Sequence, residues 1–183
     1  MKRSVRPGVN RRALALAKGV RLLVLDVDGV LTDNAVYHGG AGPGIKRFGI
    51  HDGMGLKLCM NAGIDVAVIS GLGNVQAQHR LRELGIRDFH GGHLRKLPVL
   101  EQILSDKNLS LDQVAYMGDD WLDAQVMSRV GLPMAPADAQ PEILRLAAWV
   151  SKRPGGSGAV REAARFLLMA RGKLDSVWRW WRA

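Results

Sequence analysis

The sequence predicts an α/β fold of three layers, a central parallel sheet with helices on both faces. Three observations predict it. Short apolar runs recur at Leu22–Leu25, Ile64–Ser70 and Val114–Met117, each the length of a buried strand. Amphipathic stretches of ten to twelve residues alternate with them. Glycine stands just past most of these stretches, at Gly63, Gly85, Gly131 and Gly172, where helices end in a left-handed residue. Strands separated by helices of this length pair in parallel, and both faces of such a sheet are covered. The chain has 183 residues, which fits one domain able to bury a core without staples. No internal repeat and no long linker divides it.

The elements follow in order. Residues 1–19 read as a basic arm, flexible and outside the folded body, with Pro7, Gly8 and Asn10 discouraging a helix. The strand at 22–25 comes next. Residues 29–50 fit a hairpin, Leu31–Tyr37 against Gly44–Gly49, turning at the glycine-rich 38–43. Helices are expected at 53–62, 74–84, 97–107, 120–130 and 159–170. The helix at 97–107 places Leu97, Leu100, Ile103 and Leu104 on one side. Ile86–Phe89 and Ala148–Val150 are weaker strand candidates. The folded domain is expected to span 20–172, with a basic, Trp-rich tail at 173–183.

Function in parallel sheets gathers beyond the carboxyl ends of the strands. The first strand runs into Asp26-Val27-Asp28-Gly29. Two carboxylates this close repel, and a cation lets both stay ionised. Magnesium, which takes oxygen ligands and keeps its waters, suits the pair. A carboxylate here can also attack phosphorus; the alternative is a chance pair capping the next segment. The second strand runs into Ser70-Gly71, whose hydroxyl and N–H groups can hold phosphate oxygens or make an ordinary turn. Lys96 opens a helix, an end the helix dipole disfavours for a cation, so a buried anion would explain it; Arg95 beside it is the alternative. The third strand runs into Gly118-Asp119-Asp120, with Asp123 one turn on. These acids either cap the helix or complete a magnesium site. Asp119 is placed to bind directly, Asp120 and Asp123 to act through water or through other ligands.

Taken in order, these motifs resemble the haloacid dehalogenase-like phosphohydrolases. The match sharpens in four segments: DVDGVLTD (26–33), HDGMGLKL (51–58), GDDWLDAQVM (118–127) and GGSGAVRE (155–162). They resemble the small phosphatases that hydrolyse 3-deoxy-D-manno-octulosonate 8-phosphate, an activity of lipopolysaccharide biosynthesis, over about residues 20–172. The resemblance implies a Rossmann-like three-layer fold with a β-hairpin flap and no large cap domain. It implies Asp26 as nucleophile, and Asp28 as general acid and then general base. It implies Mg²⁺ held by the Asp26 carboxylate, the Asp28 carbonyl and Asp119. Ser70, Gly71 and Lys96 would bind phosphoryl oxygens. It further implies a cytoplasmic homotetramer whose subunits close one another's sites. His51, Lys57 and Arg80 are candidates for an acidic sugar, each equally explained as a solvated helix residue; Arg80 is the one assigned to the substrate. Two positions depart from the family. Leu72 and Ser157 stand where it usually carries arginine, so a related nononate 9-phosphate is the alternative substrate.

Charge tests the remaining class. The formal charge is +9, which taken alone points to nucleic acid. Residues 1–21 carry +7, residues 171–183 carry +3, and the body at 22–170 carries −1. A nucleic-acid-binding body would spread its bases over one face, so nucleic acid is not the expected partner. One cysteine, Cys59, excludes an internal disulfide and a four-cysteine zinc site. No apolar run reaches the length of a membrane span. A receiver domain also uses Asp, Ser/Thr and Lys, but orders its acids differently along the chain.

Overall fold

The computed structural model describes residues 11–38, 44–73 and 75–183. Its helices are α1 (Arg11–Ala17), α2 (Ile50–Asn61), α3 (Val75–Glu83), α4 (Leu97–Lys107), α5 (Ala124–Met127), α6 (Pro141–Leu146), α7 (Ala159–Ala170) and α8 (Leu174–Arg182). Its strands are β1 (Leu22–Leu25), β2 (Asp65–Ser70), β3 (Phe89–Gly91), β4 (Val114–Met117), β5 (Leu132–Ala135) and β6 (Trp149–Val150). The strands form one sheet in the order β3-β2-β1-β4-β5-β6, every pair parallel.

Strand alternation divides the core. Leu23, Leu25, Val66, Val68, Ala115 and Met117 face α1, α2, α3 and α7. Leu22, Val24, Ala67, Ile69, Val114 and Tyr116 face α4, α5 and α6. With both faces covered, β1 and β4 are buried at every position, which is why they appear as unbroken apolar runs.

The α/β class, the parallel sheet and the lack of a large cap hold. Several elements differ from expectation for local reasons. Pro133 hides β5, because proline inside an apolar run argues against a strand. Here the Pro133 carbonyl accepts from the Ala148 N–H at 2.9 Å, so the missing donor faces the point where β6 has not yet begun. The weak strand expected at 86–89 lies at 89–91, and Ile86 is instead a buried residue of the approach. The helix expected over 120–130 is a 3₁₀ turn (Trp121–Asp123) followed by the short α5. Of the arm expected at 1–19, residues 11–17 form α1, with Ala13 and Ala17 buried against the core; residues 1–10 lie outside the described residues. The tail forms α8, which buries Val177 beside Leu58 and Leu168 while Trp178, Trp180 and Trp181 stay exposed.

Two antiparallel bridges, Thr32 with Phe48 and Tyr37 with Ile45, form the expected hairpin; its turn at 39–43 lies outside the described residues. Two other motifs brace the loop after β1. The Asp52 carboxylate accepts the N–H groups of Gly158 and Arg161 at 3.0 and 2.9 Å, capping α7, which has no side-chain cap of its own. A Cβ at Gly155 would run into the Gly29 carbonyl, so only glycine lets the two loops meet.

Candidate active site

The chain leaves β1 in both directions across the sheet, so the strand order reverses between β1 and β4, where a crevice opens beyond their carboxyl ends. Leu25 pairs with Met117, so Asp26 and Asp119 emerge side by side. The Asp26 N–H donates to the Met117 carbonyl at 3.0 Å. Gly29, at φ +82°, folds the 26–29 loop onto Asp119, and a Cβ there would run into that carboxylate. Ser70 ends β2, the other neighbour of β1, on the same rim.

Lys96 enters from the start of α4 and is 1% exposed. Its Nζ lies 2.8 Å from Asp26 Oδ1 and 2.6 Å from Asp123 Oδ1. The exposed Arg95 is thereby set aside. Burial works against the Lys96 ammonium, but Asp26 and Asp123 outweigh it and hold its pKa above the ordinary value. Asp123 is saturated. Its Oδ1 also accepts from the Tyr116 hydroxyl at 2.6 Å, and its Oδ2 accepts the N–H groups of Asp119 and Asp120 at 2.9 and 3.3 Å. Asp26 Oδ1 takes the Val27 N–H at 2.7 Å as well as Lys96. Asp119 Oδ2 accepts from Asn34 at 3.4 Å, while Asp119 Oδ1 is buried with no partner among the described residues.

Asp26, Asp119 and Asp123 each offer an oxygen within 4.8 Å of the others. When all are ionised, three buried carboxylates face one ammonium, an excess of two negative charges. Asp26 is pushed up to about 7 by burial and by Asp123, against the pull of Lys96. Asp119 is pushed up to about 8 by burial, then by Asp26, Asp123 and Asp120. A divalent cation cancels that excess and satisfies the orphaned Asp119 oxygen, so the cluster fits a hard, oxygen-seeking dication. Asp123 already accepts four donors, which leaves Asp26 and Asp119 as the carboxylates able to turn toward an ion.

A pH dependence follows. Both carboxyls titrate above the unfolded value of 3.8, so between there and about pH 7 to 8 the folded state binds more protons. Their contribution to stability is full below pH 3.8 and lost as pH rises through 7 and 8. In EDTA the thermal midpoint should fall from pH 6 to pH 8.5, and Mg²⁺ should raise it more at pH 8.5, because the ion binds the deprotonated form. A midpoint indifferent to Mg²⁺ at both pH values would count against a metal at these carboxylates.

The remaining expected residues surround this cluster. The Asp28 side chain is about one-quarter exposed and accepts from Lys46 Nζ at 2.6 and 2.8 Å. Ser70 is buried, with its Oγ accepting the Leu72 N–H at 3.3 Å, and Gly71 packs beneath Leu122. Asp120 caps the following turn by accepting from the Trp121 N–H. Arg80 is not brought to the carboxylates: its Nη1 donates to Glu83 at 3.1 Å and its guanidinium reaches Gly53 of α2. Three residues of the site escaped the sequence. Tyr116 sits inside an apolar run and reads as core. Asn34 and Lys46 lie on the hairpin, where nothing marks a polar residue as inward-facing.

Similarity to known proteins agrees with this geometry. Residues 82–161 match the family described as haloacid dehalogenase-like hydrolases. The 3-deoxy-D-manno-octulosonate 8-phosphate phosphatase of Escherichia coli K12 is 41% identical over 169 residues, 92% of this chain and 90% of that protein. The crystal structure of the phosphatase of the same name from Yersinia pestis superposes with a TM-score of 0.89 at 39% identity, covering 91% of this chain and 90% of that one. A third, from Moraxella catarrhalis, was solved in complex with a magnesium ion, a phosphate ion and a KDO molecule. It superposes with a TM-score of 0.90 at 28% identity, covering 92% of this chain and 97% of that one. The chain is a phosphoric monoester hydrolase and belongs to the haloacid dehalogenase-like hydrolases, within the family of the 3-deoxy-D-manno-octulosonate 8-phosphate phosphatases.

Proposed function

We propose that the protein hydrolyses 3-deoxy-D-manno-octulosonate 8-phosphate, with Mg²⁺, through an aspartyl-phosphate on Asp26. One observation carries the reading: Asp26 and Asp119 lie at the sheet's switch point with Lys96 against Asp26 and an unpartnered oxygen on Asp119. Asp26 Oδ attacks phosphorus. Asp28 gives a proton to the departing sugar oxygen, then takes one from the water that cleaves the acyl phosphate. Lys96 spends two of its donors on Asp26 and Asp123, and the third is left for a phosphoryl oxygen. Ser70 Oγ and the Gly71 N–H are the other donors on this rim. Mg²⁺, held by Asp26, Asp119 and the Asp28 carbonyl, would screen the charge between nucleophile and phosphoryl group.

The family resemblance further supports a cytoplasmic homotetramer working in lipopolysaccharide biosynthesis. No helix among the described residues is long and apolar enough to cross a membrane. Within this chain Arg80 faces α2, so a role in reading an acidic sugar would be played at a subunit contact. Leu72, which is 58% exposed, and Ser157 keep the nononate 9-phosphate as the second substrate to test.

The test is phosphate release from both sugar-acid phosphates and from a neutral hexose phosphate, with Mg²⁺ and with EDTA. The octulosonate ester should lead in kcat/KM by at least about tenfold over the hexose ester, the scale of one well-made polar contact, and EDTA should stop release. If neither sugar-acid phosphate is hydrolysed in Mg²⁺ buffer, the substrate assignment fails.

A further inference from the structure

The hairpin is tied to the domain at several points, and one tie enters the site. Gln76 donates to the Gly44 carbonyl at 3.0 Å, Tyr37 donates to Asp33 at 2.8 Å, and Arg47 reaches Gly156, Ser157 and Asp33. The Gln76 contact and those of Arg47 to Gly156 and Ser157 fasten the hairpin to its surroundings, while the contacts to Asp33 brace it internally. Lys46 does something different. Its side chain is 8% exposed, and its Nζ sits across both Asp28 oxygens at 2.6 and 2.8 Å. Asp28 has no other side-chain partner among the described residues, whereas Asp26 and Asp123 are each held by several donors. A carboxyl one-quarter exposed and free at χ1 and χ2 would sample several rotamers.

We propose that Lys46 is a positioning residue for the reaction: carried in by the hairpin, it fixes the Asp28 carboxyl on the leaving-group side of the site. This rests on the reading of Asp28 as the acid that protonates the leaving oxygen. A misplacement of an ångström at a proton-transferring group can cost about a hundredfold. When Asp28 carries the proton for the leaving oxygen, one of its oxygens holds that proton and the other keeps the Lys46 contact, so the ammonium still orients the carboxyl. It also ties the placement of the acid to the placement of the hairpin strand that carries Lys46. Lys46 lies 18 residues from Asp28 in sequence and reaches it only through the hairpin's fold. Its ammonium is spent on Asp28 rather than on Asp26, so its loss should leave the attack on phosphorus largely intact.

The separation of roles gives the test. A sugar alkoxide is a poor leaving group and needs its proton; p-nitrophenolate leaves without one. Lys46→Met keeps the apolar stem and removes the grip, and Lys46→Ala serves as a second variant. Each should lower kcat/KM, which reports the step that expels the leaving group and not the acyl-phosphate hydrolysis shared by both esters, at least about tenfold more for the sugar-acid phosphate than for p-nitrophenyl phosphate. Lys46→Arg, which can still bridge two carboxylate oxygens, should recover part of the loss. Equal losses of kcat/KM on both esters, or no loss on either, would overturn the proposal. Asp28→Asn, run alongside, separates the two claims. If Asp28→Asn itself spares the sugar ester, the general-acid reading fails. If Asp28→Asn shows the leaving-group dependence and the Lys46 variants do not, only the Lys46 proposal fails. Thermal midpoints of all variants, read without substrate, show whether each is folded; should Lys46→Ala not fold, Lys46→Met decides.

Discussion

Asp26→Asn should abolish turnover, by at least about a thousandfold, and leave the protein folded. The amide keeps the shape of the carboxyl and can still accept from the Val27 N–H and from Lys96. It removes the nucleophilic oxygen and one of the two carboxylates available to an ion. Stability should move the other way from activity. Burial and Asp123 push the Asp26 carboxyl up to about 7, so its ionised form is disfavoured in the metal-free fold. The variant should therefore melt no lower than the parent in EDTA at pH 8, and should gain less from added Mg²⁺. Phosphate release and thermal melts on the same samples check both halves. Retained turnover, after contaminating phosphatase is excluded by a second purification, would remove Asp26 from the mechanism.

Lys96→Met should be damaging to both activity and fold. Lys96 is the buried cation between Asp26 and Asp123, and a methionine of similar length leaves both carboxylates without it. Removing one member of a buried, hydrogen-bonded ion pair typically costs about 3–5 kcal/mol, because the remaining charge is stranded. The urea midpoint in EDTA should fall accordingly. Turnover, measured below that midpoint, should fall by at least about a hundredfold, the scale of losing one donor to a developing charge. A stability loss under about 1 kcal/mol would mean that water or a bound cation already screens the carboxylates, and that Lys96 is not their main counter-charge.

Much of this arrangement is legible in the sequence because the chemistry sits at strand ends, and buried parallel strands announce themselves as unbroken apolar runs. Leu22–Leu25, the run ending at Ser70 and Val114–Met117 all stand out, so Asp26, Ser70 and Asp119 follow. Lys96 is legible from the oddness of a lysine at a helix start. The rest depends on contacts between residues far apart in the chain. Asp52 stands in a segment that carries the family resemblance, with no role legible there, and proves to cap α7, more than a hundred residues away. Asp123 looks like a second-rank acid and proves to be the anchor that holds Lys96, Tyr116 and two backbone N–H groups together. Lys46 cannot be assigned from sequence, because the bend of a hairpin decides which of its polar residues turn inward. The charge of +9 misleads for the opposite reason. It gathers at the ends of the chain, while the informative charges are the few buried acids beyond β1 and β4 and the Lys96 ammonium that reaches them.

The central claim is a covalent step on Asp26, and the configuration at phosphorus tests it most directly. Hydrolysis of an isotopically chiral phosphorothioate analogue of the sugar-acid phosphate, in isotopically labelled water with Mg²⁺, should proceed with net retention, because attack by Asp26 and then by water each invert the centre. Net inversion would mean that water attacks the ester directly, and would contradict the role of Asp26 as nucleophile.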